Sequence, residues 1–428
     1  NATLNELLKK DNLEVEMKFV AGDYTEKTNT LINSQEDIDI MFTCSWANPY
    51  IDNVKKKAFA ELNDLLENNE YGKKLYNTVD ERFWKGSAVN GKNYAVPANK
   101  ELPEAPRWVV QKDLAEKYGM VADGYKGGNV STLEKYLKAA KDDGRTGLQN
   151  FPVAKYLHAR NALFEEVVQN IIGVKVTDQS AKAVYMYDDP ETIMEINTMK
   201  KYYDAGYVNA DAPTLEQTPE KDKFIASDHY SPFAENLWKT SRGTDLLTYE
   251  RYQPMVKTNS TTGSMQAILS YSKKQEAAIK FLSILNTDKD VRTLVAFGEE
   301  GKDYDLIDGK IKQKDGQYSV ANFSVGNLYI LPVMDGDPDN KWEVFQEFND
   351  SAITSPILGF FLDKTPIENE IVALDSVFKE YDAQIWTGAV KDPEAALKEM
   401  KGKMEKAGLQ KVLDEINKQI TDWKAATK

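Results

Sequence analysis

Along LEVEMKFV, the apolar residues Leu13, Val15, Met17 and Phe19 alternate with polar ones, the two-residue period of a strand with one apolar face. Upstream, Leu4, Leu7 and Leu8 of NATLNELLKK follow helical spacing and read as the end of an amphipathic helix, which implies that upstream sequence is missing. The order continues as a helix from Thr25 to Asn33, a strand from Asp37 to Phe42 and a helix around Val54 to Leu66. Strands and helices in alternation predict an α/β fold with a largely parallel sheet.

Asn90-Gly91, between short β-prone runs in GSAVNGKNYAVP, predicts a two-residue hairpin. ELPEAPRW, with Pro103 and Pro106, reads as a crossing strand or linker. From Asp113 the pattern becomes mostly helical: STLEKYLKAAKDDG opens on a Ser131 or Thr132 cap, and DDPETIMEINTMKKYYDAG on Asp189 with Pro190 in the first turn. KKQEAAIKFLSILN carries Ala277, Ala278, Phe281, Leu282 and Leu285 on one face, and a further helix runs through Val291 to Phe297. YDLIDGKIKQKDGQYSV predicts a small meander turned at Asp308-Gly309 and Asp315-Gly316. In the tail, Ile367, Ile371, Leu374, Phe378 and Tyr381 form one helical stripe, and Asp392 with Pro393 starts another helix.

Charge narrows the chemistry. With 54 Lys and Arg against 68 Asp and Glu, a net charge of −14 repels a phosphate backbone, which argues against nucleic acid as a partner. The 428 residues exceed one ordinary core and predict two or three domains. One cysteine, Cys44, leaves no internal disulfide, and two histidines, His158 and His229, leave little for a zinc site. No apolar run reaches membrane-spanning length.

Neither GxGxxG nor GxxxxGK[ST] occurs, so phosphate-cradling enzymes of those types are disfavoured. ASDHYSP around His229 has the residue types of a nucleophilic site but no elbow such as GxSxG, and a surface or wall histidine is the better reading. DGDPDNKWEVFQE sets Asp335, Asp337 and Asp339 at the first ligand positions of a calcium loop. Asn340 replaces the turn glycine and Gln346 the bidentate Glu, so an acidic turn is favoured and no cofactor is expected.

The remaining signal is aromatic. IDIMFTCSWANPY begins as a strand, with Ile38, Ile40 and Phe42 read as sheet core, and ends with Ser45, Trp46 and Tyr50 among small polar residues. Tyr and Trp pair a broad apolar face with a polar edge, which suits a pyranose ring whose hydroxyls are met by Asp, Glu, Asn and Arg. Loops at the ends of strands are where α/β sheets bind ligands. NKE at Asn99 to Glu101, and AENLWKTSRG with Glu235, Trp238 and Arg242, share this chemistry.

The stretches DIMFTCSWANPY, AFAELNDLL, GKNYAVPANKE, VVQKDLAEKYGM, MKKYYDAGYVNADAP, STTGSMQAILSYSKKQEAAIKFLSILNTDK, FGEEGKDYDLIDGK and FSVGNLY stand in an order that resembles the extracellular solute-binding proteins of sugar-type ABC importers. SPILGFFLDKTPIENEIVALDSVFKEY and MEKAGLQKVLDEINKQITDW resemble the C-terminal helical extension of a Gram-positive lipoprotein branch. The resemblance implies a non-enzymatic protein with a two-lobed, type II periplasmic-binding-protein-like fold. Its ligand cleft would lie between lobes joined by hinge segments near Pro106 to Val110 and Lys257 to Thr261. It places lobe one at residues 1–107 and 259–320, and lobe two at 108–258 and 321–428.

By position it puts Ser45, Trp46 and Tyr50 on the cleft rim, Asn99 and Glu101 beside the hinge, and Asn327 on the third crossing, with Tyr24, Glu235, Trp238, Arg242 and Phe361 as further candidates. The implied partners are an oligosaccharide and the permease subunits of an ABC transporter, with the protein a monomer held at the outer membrane face by a lipid anchor. The family's upstream strand and lipid-attached cysteine are missing here, and Cys44 cannot be that anchor. Two alternatives remain open at this point: a receptor for a non-sugar solute such as a peptide or amino acid, and a glycoside-processing enzyme, which needs two carboxyls about 5 to 9.5 Å apart.

Overall fold

The computed structural model describes residues 1–148, 158–216, 224–314, 318 and 320–427. The chain divides into two compact units: Asn1–Leu102 with Lys257–Asp350 and Leu358–Phe360, and Pro103–Val256 with Ser351–Ile357 and Phe361–Lys428. Residues 321–350 cluster with the first unit, whereas the sequence reading puts them in the second.

In the first unit the strand Met265–Ile268 lies between Ile40–Thr43 and Val96–Pro97, and both pairings are antiparallel rather than parallel. The central strand arrives from far along the chain, so its direction is not set by a crossover between successive strands. Met41 and Thr43 are the buried residues of the first strand, while Ile38, Ile40 and Phe42 are only half-buried. The sheet core is therefore carried by the residues that alternate with the expected ones. Ile40 still packs with Leu4, Leu8, Phe281 and Leu285 on the opposite face.

The expected strand at Leu13 to Val20 is extended but joins no ladder. Its Val15 and Met17 N–H groups instead donate to the side-chain oxygens of Asn5 at 2.7 Å and Asn1 at 2.8 Å. Its period holds nonetheless: Leu13, Val15 and Met17 pack on the helix Gln275–Thr287 and its neighbours, while Phe19 is exposed. The helix expected at Val54 to Leu66 is two short ones, Tyr50–Lys55 and Asn63–Asn68. Between them the backbone turns at Lys57 (φ 58°) and Ala60 N–H donates to Ile268 O at 2.8 Å, so AFA serves the sheet edge. The Asn90-Gly91 turn forms as expected, both residues left-handed and Val89 and Lys92 exchanging backbone hydrogen bonds.

In the second unit the strand Pro106–Gln111 is central, antiparallel to Ile225–His229 and Leu246–Glu250. Trp108 and Val110 face a core with Leu114, Leu133, Leu137 and Tyr202, so by alternation Arg107 and Val109 face the other way. Asp189 caps the helix Pro190–Asp204 and Asp392 caps Pro393–Lys406, as the sequence predicts. The helix Glu134–Asp142 is preceded by a 3₁₀ turn, and Asn129, not Ser131 or Thr132, accepts the first N–H. Glu195 and Arg251 form an ion pair at 2.6 Å in the interior, where Tyr252 also donates to Glu195 at 2.6 Å. The hairpin turned at Asp308-Gly309 forms in the first unit; the turn at Asp315-Gly316 lies outside the described residues.

Candidate functional site

At the end of the strand Ile40–Thr43 the chain makes a compact loop whose shape depends on Asn48. This buried residue is left-handed (φ 47°), and its side chain donates to Phe42 O at 2.8 Å and accepts from Asn53 Nδ2 at 2.8 Å. Asn tolerates that conformation better than other non-glycine residues. The loop is strapped to the neighbouring segment by Ser45 N–H on Thr262 O at 2.9 Å and by Trp46 Nε1–H on Gly263 O at 2.9 Å.

Trp46 is thus fixed at its polar edge yet 64 % exposed. Phe42 contacts Trp46 at 5.9 Å between ring centroids and Tyr24 at 5.9 Å, making a row of three aromatic rings. The Tyr24 hydroxyl donates to Phe42 O at 3.0 Å, and burial, with Cys44 nearby, pushes its pKa well up. The row is apolar on its surface and neutral beneath, suited to C–H-rich ligand faces.

Tyr50, expected beside Trp46 on the rim, is instead in the core. It is 1 % exposed, stacks on Phe59, donates to Ser87 O at 2.9 Å and accepts from Tyr94 N–H at 3.3 Å. Asn99 and Asn327 are also buried. They pair with each other at 3.3 Å; Asn99 further donates to Thr78 O, while Asn327 donates to Asn286 O and accepts from Tyr329 N–H. These two residues tie two segments together within the first unit, and Asn327 does not lie on the third crossing as expected, because the chain leaves this unit only after Asp350. Glu101 is half-buried in an ion pair with Lys100 at 2.6 Å, and Asn349 braces the same segment through Leu102 N–H and Lys100 O.

In the second unit, Glu235, Trp238 and Arg242 share the helix Ala234–Arg242. Arg242 is buried, bound to Asp228 at 3.0 Å, with its guanidinium 5.5 Å from the Trp238 ring centroid. Glu235 stands in the first turn with Oε2 buried and without a hydrogen-bond partner. The sequence reading misses the neighbours of this helix: Tyr230, with Arg107 stacked 4.0 Å over its ring, and Asp228. Only strand pairing, which sets Arg107 opposite Asp228, brings them together. His229 is half-buried, its Nδ1 accepting from Ala105 N–H at 3.4 Å. Phe361 is half-buried at the last passage of the chain into the second unit.

The acidic turn is occupied by lysines. Asp337 pairs with Lys341 at 2.6 Å and Asp339 with Lys310 at 2.7 Å, whereas Asp335 donates its backbone N–H to Ile311 O. Among the described residues no group of three or more His, Cys, Asp or Glu is arranged to hold a metal ion.

The chain is similar to substrate-binding proteins of carbohydrate ABC transporters, with an α/β fold resembling the periplasmic-binding-protein superfamily. One such protein from Streptococcus pneumoniae serotype 4 is 29 % identical over 448 residues, spanning 98 % of this chain and 88 % of the relative. Among solved structures the chain is similar to the N-glycan transport solute binding protein NgtS of Streptococcus pneumoniae, at 27 % identity and a TM-score of 0.88, covering 100 % of this chain and 96 % of that one. Against NgtS in complex with Man5GlcNAc the identity is 27 %, covering 100 % of this chain and 95 % of that one, but the TM-score is 0.72. Residues 356–425 match a family model described as "Domain of unknown function (DUF3502)".

Proposed function

We propose that the protein is the substrate-binding component of an ABC importer, that it takes an oligosaccharide, and that it hands the ligand to permease subunits without chemical change. The observation that carries this reading is the likeness to NgtS over nearly the whole of both chains. The exposed, edge-anchored Trp46 supports it, because a fixed indole face loses little freedom on stacking against a sugar.

In this reading the two units are the lobes of a type II binding protein, and ligand shifts the population toward a closed form by contacting both lobes only there. Trp46, Ser45 and the Tyr24 ring lie on one wall, Glu235, Trp238 and Phe361 on the other, with Glu101 near the crossing. Asn99, Asn327 and Arg242 act from behind by holding those segments. The protein works as a monomer at the outer face of a Gram-positive cell membrane, tethered by lipid. Isothermal titration with a panel of glycans, peptides and amino acids tests the assignment. Micromolar or tighter binding to a glycan is expected; binding to peptides or amino acids alone, or hydrolysis of the glycan during incubation, would overturn it.

A further inference from the structure

On the face of the second unit's sheet opposite the core, the strand register sets Arg107 between Asp228 and Glu250. Asp228 is already engaged by Arg242 at 3.0 Å. Arg107 turns instead to Tyr230, its guanidinium carbon 4.0 Å from the ring centroid, and its Nε–H is buried with no hydrogen-bond acceptor. Glu235 Oε2 is buried with no donor. A first-turn position accounts for the charge of Glu235, which complements the helix dipole, but not for burial of an oxygen without a partner.

Both groups act on the same ring. The Tyr230 hydroxyl is raised by burial first, then by the Glu235 charge, while Arg107 and a backbone hydrogen bond from Phe233 pull the other way. Phe233 is itself left-handed (φ 66°) without being glycine, a conformation that costs energy and is kept where the surroundings need the turn. It sends the chain from Tyr230 into the helix that carries Glu235.

An unmet donor and an unmet acceptor that both act on one aromatic ring are the complement of a secondary amide bearing a methyl group. We propose that Arg107, Tyr230 and Glu235 form a subsite for the acetamido group of an N-acetylhexosamine. The amide N–H donates to Glu235 Oε2, the amide carbonyl accepts from Arg107 Nε–H, and the methyl lies against Tyr230. All three side chains are of intermediate exposure, so small rotations present the two atoms to a ligand. A sugar hydroxyl at the same carbon must donate to Glu235 and accept from Arg107 through one oxygen, without the span of an amide, and has no methyl to cover Tyr230. This inference rests on the carbohydrate reading above.

The test compares mannosyl-N-acetylglucosamine with mannosyl-glucose, which carries a hydroxyl in place of the acetamido group, by isothermal titration. The wild-type protein is expected to prefer the acetamido sugar by about ten- to a hundredfold. Glu235→Leu removes the acceptor and should bring that ratio close to one, Glu235→Gln keeps an acceptor oxygen and should restore most of it, and Trp46→Ala should weaken both sugars alike. Thermal melts establish that each variant is folded. Equal wild-type affinity for the two sugars, or a ratio unmoved by Glu235→Leu, would sink this subsite while leaving carbohydrate binding in place. Failure of the wild-type protein to bind any glycan would overturn the functional reading and the subsite with it.

Discussion

Replacing Trp46 by alanine separates recognition from stability most directly. With 64 % of the residue exposed, about a third of a side chain carrying up to ~250 Å² is covered, so the packing lost is at most ~2 kcal/mol at about 25 cal/mol per Å². The hydrogen bond to Gly263 O adds about 1 kcal/mol. For a unit of about 200 residues the melting temperature should fall by less than about 10 °C. A stacked sugar would cover much of the remaining ~160 Å², worth ~4 kcal/mol before ordering costs of about 0.5–1.5 kcal/mol. The net loss should fall near ~1–3 kcal/mol, the scale measured for aromatic stacking on nucleobases. Calorimetric titration should therefore show Kd rising about 5- to 150-fold. An unchanged Kd together with a melting temperature lowered by more than about 10 °C would refute this, and would make Trp46 a packing residue.

Tyr50→Phe should do the opposite, lowering stability by about 1–3 kcal/mol through the unmet Ser87 carbonyl and Tyr94 N–H while leaving Kd unchanged, as urea unfolding and titration would show. Arg251→Met strands Glu195, 1 % exposed, and should cost about 3–5 kcal/mol in urea unfolding; adding Glu195→Gln should recover part of the loss, and no recovery would argue against the pair. His158 is fully buried, stacked on Trp386 at 4.7 Å, and its pKa is driven well below the usual value by burial, then by Arg160 and Arg251. The unfolded chain takes up this proton below about pH 6.5 and the folded chain does not, so stability is lost as pH falls through that value, at about 1.4 kcal/mol per unit. Comparing urea unfolding of the wild-type protein and His158→Phe between about pH 7.5 and 5.5 isolates this contribution; equal slopes would show that His158 takes up its proton equally in both states.

Local chemistry was legible at several caps and turns, though not at Asn129, which caps the segment expected to open on Ser131 or Thr132. Asp189 and Asp392 cap their helices and Asn90-Gly91 turns its hairpin because caps and turns are decided within a few residues. The period of Leu13, Val15 and Met17 correctly named the packed face, yet no ladder formed, because a strand needs a partner and here Asn1 and Asn5 meet its N–H groups. Trp46 could be read as an exposed strand-end aromatic, but Tyr50, four residues on, could not be told apart from it: only the positions of Ser87, Tyr94 and Phe59 make it core.

The sequence by itself determined the α/β class, most helix starts, the net acidic charge, and the strand-end aromatic segment. Tertiary structure decided strand direction, since period-two patterning is the same for parallel and antiparallel neighbours. It decided which of Ile40, Met41, Phe42 and Thr43 are buried, because both faces of that strand are partly covered and the sequence shows apolar residues on each. It alone brought Arg107 to Tyr230 and Glu235, which lie more than a hundred positions further along the chain, through the register of one antiparallel pair. Burial and hydrogen-bond saturation are properties of neighbours in space, so a residue's type can nominate it for a site but only its surroundings leave it free to serve there.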